Sequence, residues 1–109
     1  MRIQYNYFVR FRYEGKMNIL RRMRQAIREQ KYRISSHANE EMAYDFLTAS
    51  DVENIILTGR IIKRLTRDPR GTRYEVCGDT LDYRSGYVIC RFLLSGVLLI
   101  ITAYVENKE

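Results

Sequence analysis

The apolar positions of this chain are densest between Tyr87 and Val105, where two hydrophobic runs flank Ser95 and Gly96. Each run has the length of a strand and is rich in β-branched and aromatic residues. Ser-Gly is typical of a tight turn with positive φ. We therefore predict a β-hairpin. A transmembrane helix is disfavoured, because Arg91 and the Ser-Gly break leave no piece long enough to span a bilayer.

In the first half of the chain, hydrophobic residues recur at the spacing of α-helices. Residues 17–31 place Leu20, Met23 and Ile27 on one face, which predicts an amphipathic helix. One of the serines before His37 is suited to cap a second helix that runs to about Tyr44, with the histidine in its first turn.

A third predicted helix begins between residues 48 and 51. Ser50 and Glu53 have the spacing of a capping box. The residues expected on its buried face are Val52, Ile55 and Ile56. Gly59 is suited to end the helix at its C′ position.

The remaining segments alternate with a period of two. Residues 60–66 and 72–77 read as strands around the turn Asp68–Gly71, which contains the only proline. With the hairpin this gives four sequential strands joined by short turns, hence an antiparallel sheet. The predicted class is α+β, with N-terminal helices on one face of a four-stranded sheet. Residues 1–15 are expected to be a fifth strand or an arm, and residues 16–109 a single domain.

Charge is strongly segregated along the chain. The net charge is +6, but residues 1–33 carry +8, residues 34–59 carry −5 and residues 60–73 carry +5. Two basic blocks thus bracket an acidic one. Basic blocks suit RNA or an acidic partner protein, and they also occur on ordinary solvated faces.

The two cysteines, Cys77 and Cys90, fall in predicted strands and are expected to be buried free thiols. No spacing of Cys and His residues predicts a metal site, and we expect no cofactor. The N-terminus lacks the apolar core of a signal peptide, so a cytoplasmic location without membrane association is expected.

The only histidine, His37, is the first candidate for chemistry. A helix N-terminus favours the neutral imidazole, which is able to take a proton from a ribose 2′-hydroxyl. Arg64 and Arg73 on adjacent strands are candidates for stabilising a phosphate. The alternative is that His37 only caps or packs against its own helix. The residues expected to follow a phosphate backbone are Arg21, Arg24, Arg28, Arg60 and Arg67.

Several short stretches together resemble an uncharacterised prokaryotic family, domain-of-unknown-function family 4258. They are residues 32–38 (Tyr-Arg-Ile-Ser-Ser-His-Ala), Met42, residues 50–52, residues 59–62, Gly78 and residues 101–104. Glu41 stands where that family commonly has Arg, and residues 43–47 also depart from its pattern. The resemblance implies a layout similar to RelE-like toxins, some of which cleave RNA without a metal.

Two functions follow as hypotheses. In the first, the chain is a metal-independent endoribonuclease of toxin type, in which His37 is the general base and Thr102 and Tyr104 orient the substrate or relay a proton. In the second, it is a non-catalytic basic module that binds RNA or a partner protein. The candidate partners are RNA, an acidic antitoxin-like protein and a second copy of the chain. The first hypothesis requires His37 and the strand arginines to share one hollow.

Overall fold

The computed structural model describes the backbone of residues 15–106, and side chains are described for residues 19–106. The predicted N-terminal strand or arm, except Gly15, lies outside the described residues. The elements in chain order are α1 (Gly15–Arg28), β1 (Tyr32–Ile34), α2 (Ser36–Tyr44), α3 (Ala49–Thr58), β2 (Arg60–Leu65), β3 (Arg73–Asp79), β4 (Ser85–Phe92) and β5 (Leu98–Val105).

The strands form one sheet in the order β1-β5-β4-β3-β2. Strands β2 to β5 are antiparallel neighbours, as predicted, and the α+β class is confirmed. The fifth described strand is β1, which pairs with β5 in parallel. No strand was predicted for residues 32–34, and their parallel pairing makes the sheet mixed rather than purely antiparallel.

The predicted C-terminal hairpin is present. Strand β4 pairs with β5 from Gly86 opposite Val105 to Phe92 opposite Leu98. Gly96 in the turn has a φ of 91°, which a glycine adopts without steric cost. A register shift after Ile89 marks a bulge in the pair.

The core lies between the helices and one face of the sheet. Val76, Val88 and Ala103 are opposite one another on neighbouring strands, and all three are fully buried. The helices contribute Met23 and Ile27 from α1, Ala38 and Met42 from α2, and Val52, Ile55 and Ile56 from α3. The stripes predicted for α1 and α3 thus include the residues that pack the core.

Two glycines let α3 approach the sheet closely. A Cβ on Gly78 would stand 2.1 Å from the Ile55 carbonyl oxygen, and one on Gly86 would stand 2.3 Å from Ile55 Cδ1. Gly59 ends α3 as predicted, but its φ is −91°, so it is no left-handed C′ residue. Its lack of a side chain matters because a Cβ there would stand 2.5 Å from the Cys77 carbonyl oxygen.

The start of α3 differs from the prediction. Thr48 is the N-cap, and its hydroxyl accepts a hydrogen bond from the Asp51 N–H, while the Asp51 carboxylate accepts one from the Thr48 N–H. This pair is the capping box, so the assignment of Ser50 and Glu53 was wrong by two residues. Ser50 instead lies inside the first turn, where it is exposed.

Helix α2 covers the edge of β5 beyond the short strand β1. Its N-cap is Ser35, whose hydroxyl accepts from the Ala38 N–H and donates to the Ile101 carbonyl. Further along, the Ala103 N–H donates to Glu41 Oε1, and the Val105 N–H donates to Asp45 Oδ2. Side chains of a helix therefore satisfy edge groups that another strand would otherwise pair.

The cysteines are free thiols, Cys90 buried and Cys77 half-buried, and burial raises the pKa of Cys90 to about 12. Within residues 15–106, no three Cys, His, Asp or Glu side chains converge as metal ligands. Among the helices of that range, none has the length and apolar character needed to cross a bilayer.

Candidate functional site

Arg24 joins the two basic blocks of the sequence. It lies on α1 beside Arg21 and Arg28, with which it lines a shallow hollow. Its guanidinium donates to the carbonyl of Ile56 at 3.2 Å and to that of Gly59 at 2.7 Å. These carbonyls lie at the C-terminal end of α3, where a cation is favoured by the helix dipole. The basic face of α1 is therefore held beside Gly59, the residue that directly precedes β2.

Strand β2 continues the positive charge. It forms one edge of the described sheet, and Arg60, Lys63 and Arg64 are exposed on it. No carboxylate among the described residues forms an ion pair with any of the three. From Arg60 to Arg64 the strand extends about 13 Å at about 3.3 Å per residue.

The loop after β2 carries the remaining arginines around one buried carboxylate. Asp68 pairs with Arg70 and with Arg73, each at 3.3 Å. Hydrogen bonds from Arg70, led by its backbone N–H, lower the pKa of Asp68. Arg67 lines the same hollow and forms no such pair among the described residues. Two of the loop arginines are thus partly neutralised, whereas Arg67 is not.

We call the exposed cations along this path the basic strip. Its members are Arg21, Arg28, Arg60, Lys63, Arg64 and Arg67. Arg24 was predicted to bind nucleic acid. In the structure its guanidinium caps the C-terminal end of α3 by donating to two carbonyls there. Lys63 was not predicted, although its place in an exposed basic strand was visible in the sequence.

His37 lies in a different hollow, at the opposite side of the sheet. It is in the first turn of α2, as predicted, and its side chain is 65% exposed. Its Nε2 is 3.4 Å from Glu41 Oε2. The hollow has a volume of about 310 Å³ and is lined by His37, Glu40, Glu41, Tyr44, Asp45 and Tyr104. Its charged lining residues are carboxylates, and no arginine of the part of the chain that the structure describes contributes to it.

The expected meeting of His37 with Arg64 and Arg73 is therefore not found. Helix α2 lies against β5, whereas the two arginines lie on β2 and β3. Between β5 and β2 the sheet contains two further strands, a separation of about 14 Å at about 4.8 Å per strand. Moreover, Arg64 is opposite Tyr74 and Arg73 is opposite Leu65, so the register places the two arginines on opposite faces of the sheet.

Thr102 and Tyr104 lie on the sheet face turned away from the helices. Tyr104 stacks on Tyr87 with ring centroids 5.1 Å apart, and its hydroxyl donates to Glu75 Oε2 at 2.9 Å. Burial and the bond to Glu75 raise the pKa of Tyr104 to about 12. The phenol is therefore protonated at neutral pH and acts as a hydrogen-bond donor. Of the predicted catalytic residues, His37 and Tyr104 line one hollow, and Arg64 and Arg73 line another beside the Asp68 loop.

A family model described as "Domain of unknown function (DUF4258)" matches residues 34–105, which is about two thirds of the chain. The chain belongs to the DUF4258 family. No curated protein and no solved structure matches it significantly. The match spans α2, α3 and strands β2 to β5, so this DUF4258 domain includes the His37 hollow and β2 but not α1. The likeness to RelE-like toxins stays a prediction.

Proposed function

We propose that this DUF4258 protein is a non-catalytic module that binds the phosphate backbone of RNA through the basic strip. The observation that carries the proposal is the contact of Arg24 with the carbonyls of Ile56 and Gly59. This contact brings the basic face of α1 next to β2, so that two blocks separated by an acidic stretch of sequence adjoin in space.

The strip suits a polyanion better than a small acidic ligand. Its cations are spread along a helix face and a strand edge instead of converging on one point. Arg60 and Arg64 are about 13 Å apart along β2. They lie opposite Cys77 and Tyr74, hence on different faces of the sheet, so the strip suits a ligand with several phosphates. Contacts with phosphates carry no base information, so we expect binding with little sequence preference.

An endoribonuclease is supported less well by the same geometry. The hollow of His37 contains Glu40, Glu41 and Asp45, which would repel a phosphate. Within the described residues it lacks the cation that would stabilise charge developing on the scissile group. His37 with Glu41 beside it would supply a base and an orienting carboxylate, but the substrate would have to be held from outside the hollow.

The test is fluorescence anisotropy with an end-labelled RNA at several salt concentrations. We expect Arg60→Ala, Arg64→Ala and Arg67→Ala each to weaken binding and to lower the slope of log K against log salt by about 0.7–0.9 per lost phosphate contact. The matched control is Arg33→Ala, which removes an exposed arginine from β1 at the other end of the sheet. An equal loss in the control would count against the basic strip.

The same samples distinguish binding from cleavage. Labelled RNA is incubated with the protein in EDTA and examined on a denaturing gel. The proposal expects intact RNA. Fragments ending in a 2′,3′-cyclic phosphate that disappear with His37→Ala would overturn it and establish the endoribonuclease instead.

A further inference from the structure

Four large apolar side chains are exposed on the two segments that flank the start of α3, residues 44–46 and 81–83. Tyr44 is 87% exposed, Phe46 84%, Tyr83 87% and Leu81 56%. We call these four residues the aromatic patch. Single exposed apolar residues are common, but a group of three aromatic side chains and a leucine is typical of an interaction surface.

The patch is built from two loops that are fastened to each other. Arg84 donates to the carbonyls of Asp45 and Phe46, which lie in the loop between α2 and α3. In return, the Leu81 N–H donates to Asp51 Oδ1 at the start of α3. The loop that carries Phe46 and the loop that carries Tyr83 are therefore joined to each other by hydrogen bonds.

Two of these aromatic residues occupy backbone positions that disfavour them. Phe46 has a φ of 56° and follows the end of α2, where the Leu47 N–H donates to the Met42 carbonyl. Glycine or asparagine is usual at such a helix end. Tyr83 has a φ of 66° in the turn between β3 and β4. Both side chains are exposed, so packing within this chain does not offset the free-energy cost of the positive φ. The retention of these two aromatic residues therefore points to a role outside the fold.

The charge beside the patch indicates what binds there. Tyr44 belongs both to the patch and to the His37 hollow, which contains Glu40, Glu41 and Asp45. On the other loop, Asp82 is exposed next to Tyr83, and Arg84 pairs with its carboxylate at 3.0 Å and partly neutralises it. A positively charged side chain would be attracted by these carboxylates and by the faces of Tyr44 and Tyr104. RNA would be repelled, so the patch is separate from the basic strip in function as well as in position.

We propose that the aromatic patch docks a segment of a partner protein in which apolar side chains flank an arginine or a lysine. The apolar side chains pack against Phe46, Tyr83 and Leu81, and the cation enters the hollow between Tyr44 and Tyr104. A negatively charged partner segment would not be accepted.

The test is selection from a phage-displayed library of random 12-residue peptides against the full-length protein. Enriched peptides are expected to carry Arg or Lys beside Leu, Ile, Phe or Trp. A synthetic copy of the most enriched peptide is then titrated against variants. Phe46→Asn and Tyr83→Asn are each expected to weaken its binding by about tenfold or more, as for a residue at the centre of an interface.

These variants are chosen because asparagine tolerates a positive φ, so folding is expected to be unimpaired or improved. The matched control is Arg64→Ala in the basic strip, which should leave peptide binding unchanged. Enrichment of acidic peptides, failure to enrich any peptide, or affinities that ignore Phe46→Asn and Tyr83→Asn would overturn the proposal. It would also be overturned by a concentration-dependent dimer that Phe46→Asn abolishes in sedimentation velocity, because the occupant would then be a second copy of the chain.

Discussion

Asp51 shows how much one buried carboxylate contributes to this fold. It accepts hydrogen bonds from the Thr48 N–H and hydroxyl and from the Leu81 N–H. It thereby caps α3 and fixes the loop that carries half of the aromatic patch. We expect Asp51→Ala to lower the free energy of unfolding by about 2 kcal/mol, because a cap and a buried acceptor are lost together. Urea denaturation measures this change.

Ser50→Ala is the matched control. Ser50 has the spacing of a capping residue in the sequence but is exposed in the structure. Its replacement should change stability by no more than about 0.5 kcal/mol. If Ser50→Ala were as damaging as Asp51→Ala, the assignment of the capping box to Thr48 and Asp51 would be wrong.

Asp51 also makes the free energy of unfolding depend on pH. Burial alone would raise the pKa of Asp51, but the hydrogen bonds from Thr48 and Leu81 outweigh it and lower the pKa. Because the pKa of Asp51 is lower in the folded than in the unfolded state, ionised Asp51 stabilises the fold fully at pH values above its unfolded pKa of about 3.9. This stabilisation is lost as the pH falls through the lower pKa of the folded state. Chemical denaturation between pH 6 and pH 3 should therefore show a smaller loss of stability in Asp51→Asn than in the wild type.

At the scale of elements, α2 acts as a cover for the edge of β5. Glu41 accepts from the Ala103 N–H and lies beside His37 on the next turn. Glu41→Ala would leave the N–H of a fully buried residue without its partner, and we expect a loss of about 1–2 kcal/mol in the free energy of unfolding. Glu40→Ala provides the comparison, because Glu40 is exposed and makes no such bond among the described residues.

Thermal or urea unfolding of Glu41→Ala and Glu40→Ala measures the difference in stability between the two variants. Equal stability of Glu41→Ala and Glu40→Ala would show that water replaces the carboxylate at the Ala103 N–H. Since Glu41 also lines the His37 hollow, its replacement should in addition weaken the binding of cationic peptides.

Local signals were enough to predict most of the elements. The hairpin around Gly96 and the buried stripe of α3 are set by neighbours a few residues apart in sequence, and both were predicted. Strand β1 was missed because its three residues acquire strand geometry only by pairing with β5, more than 60 residues later. Long-range pairing of so short a segment leaves no periodicity to detect.

The site was harder to predict than the fold because it also depends on contacts between segments that are distant in sequence. The sequence shows that His37 begins a helix and that Arg64 is in a strand, but not which edge of the sheet each approaches. Their separation follows from the strand order, in which β4 and β3 lie between β5 and β2. The aromatic patch was missed because an exposed Phe46 and a buried one look alike in sequence.

At the scale of the whole molecule, charge is segregated in space as well as in sequence. The basic strip follows α1 and β2, whereas the carboxylates of α2 surround the His37 hollow on the far side of β5. Two partners of opposite charge would therefore bind without competing. Substitutions in the strip and in the patch should have additive effects on stability, because they share no contacts.

Segregation also implies that RNA binding depends on where the charges lie and not on their sum. Arg64→Glu with Arg67→Glu lowers the net charge from +6 to +2. Lys31→Glu with Arg33→Glu does the same at β1 and the residue before it, and β1 is the other edge strand of the described sheet. We expect the first pair to abolish measurable binding at physiological salt and the second to weaken it only slightly. The reason is that salt screens the interaction between exposed charges beyond a Debye length of about 8 Å. Anisotropy titrations at one salt concentration compare the two directly. Equal losses would mean that the protein binds RNA by net charge alone, and the basic strip would then have no role as a site.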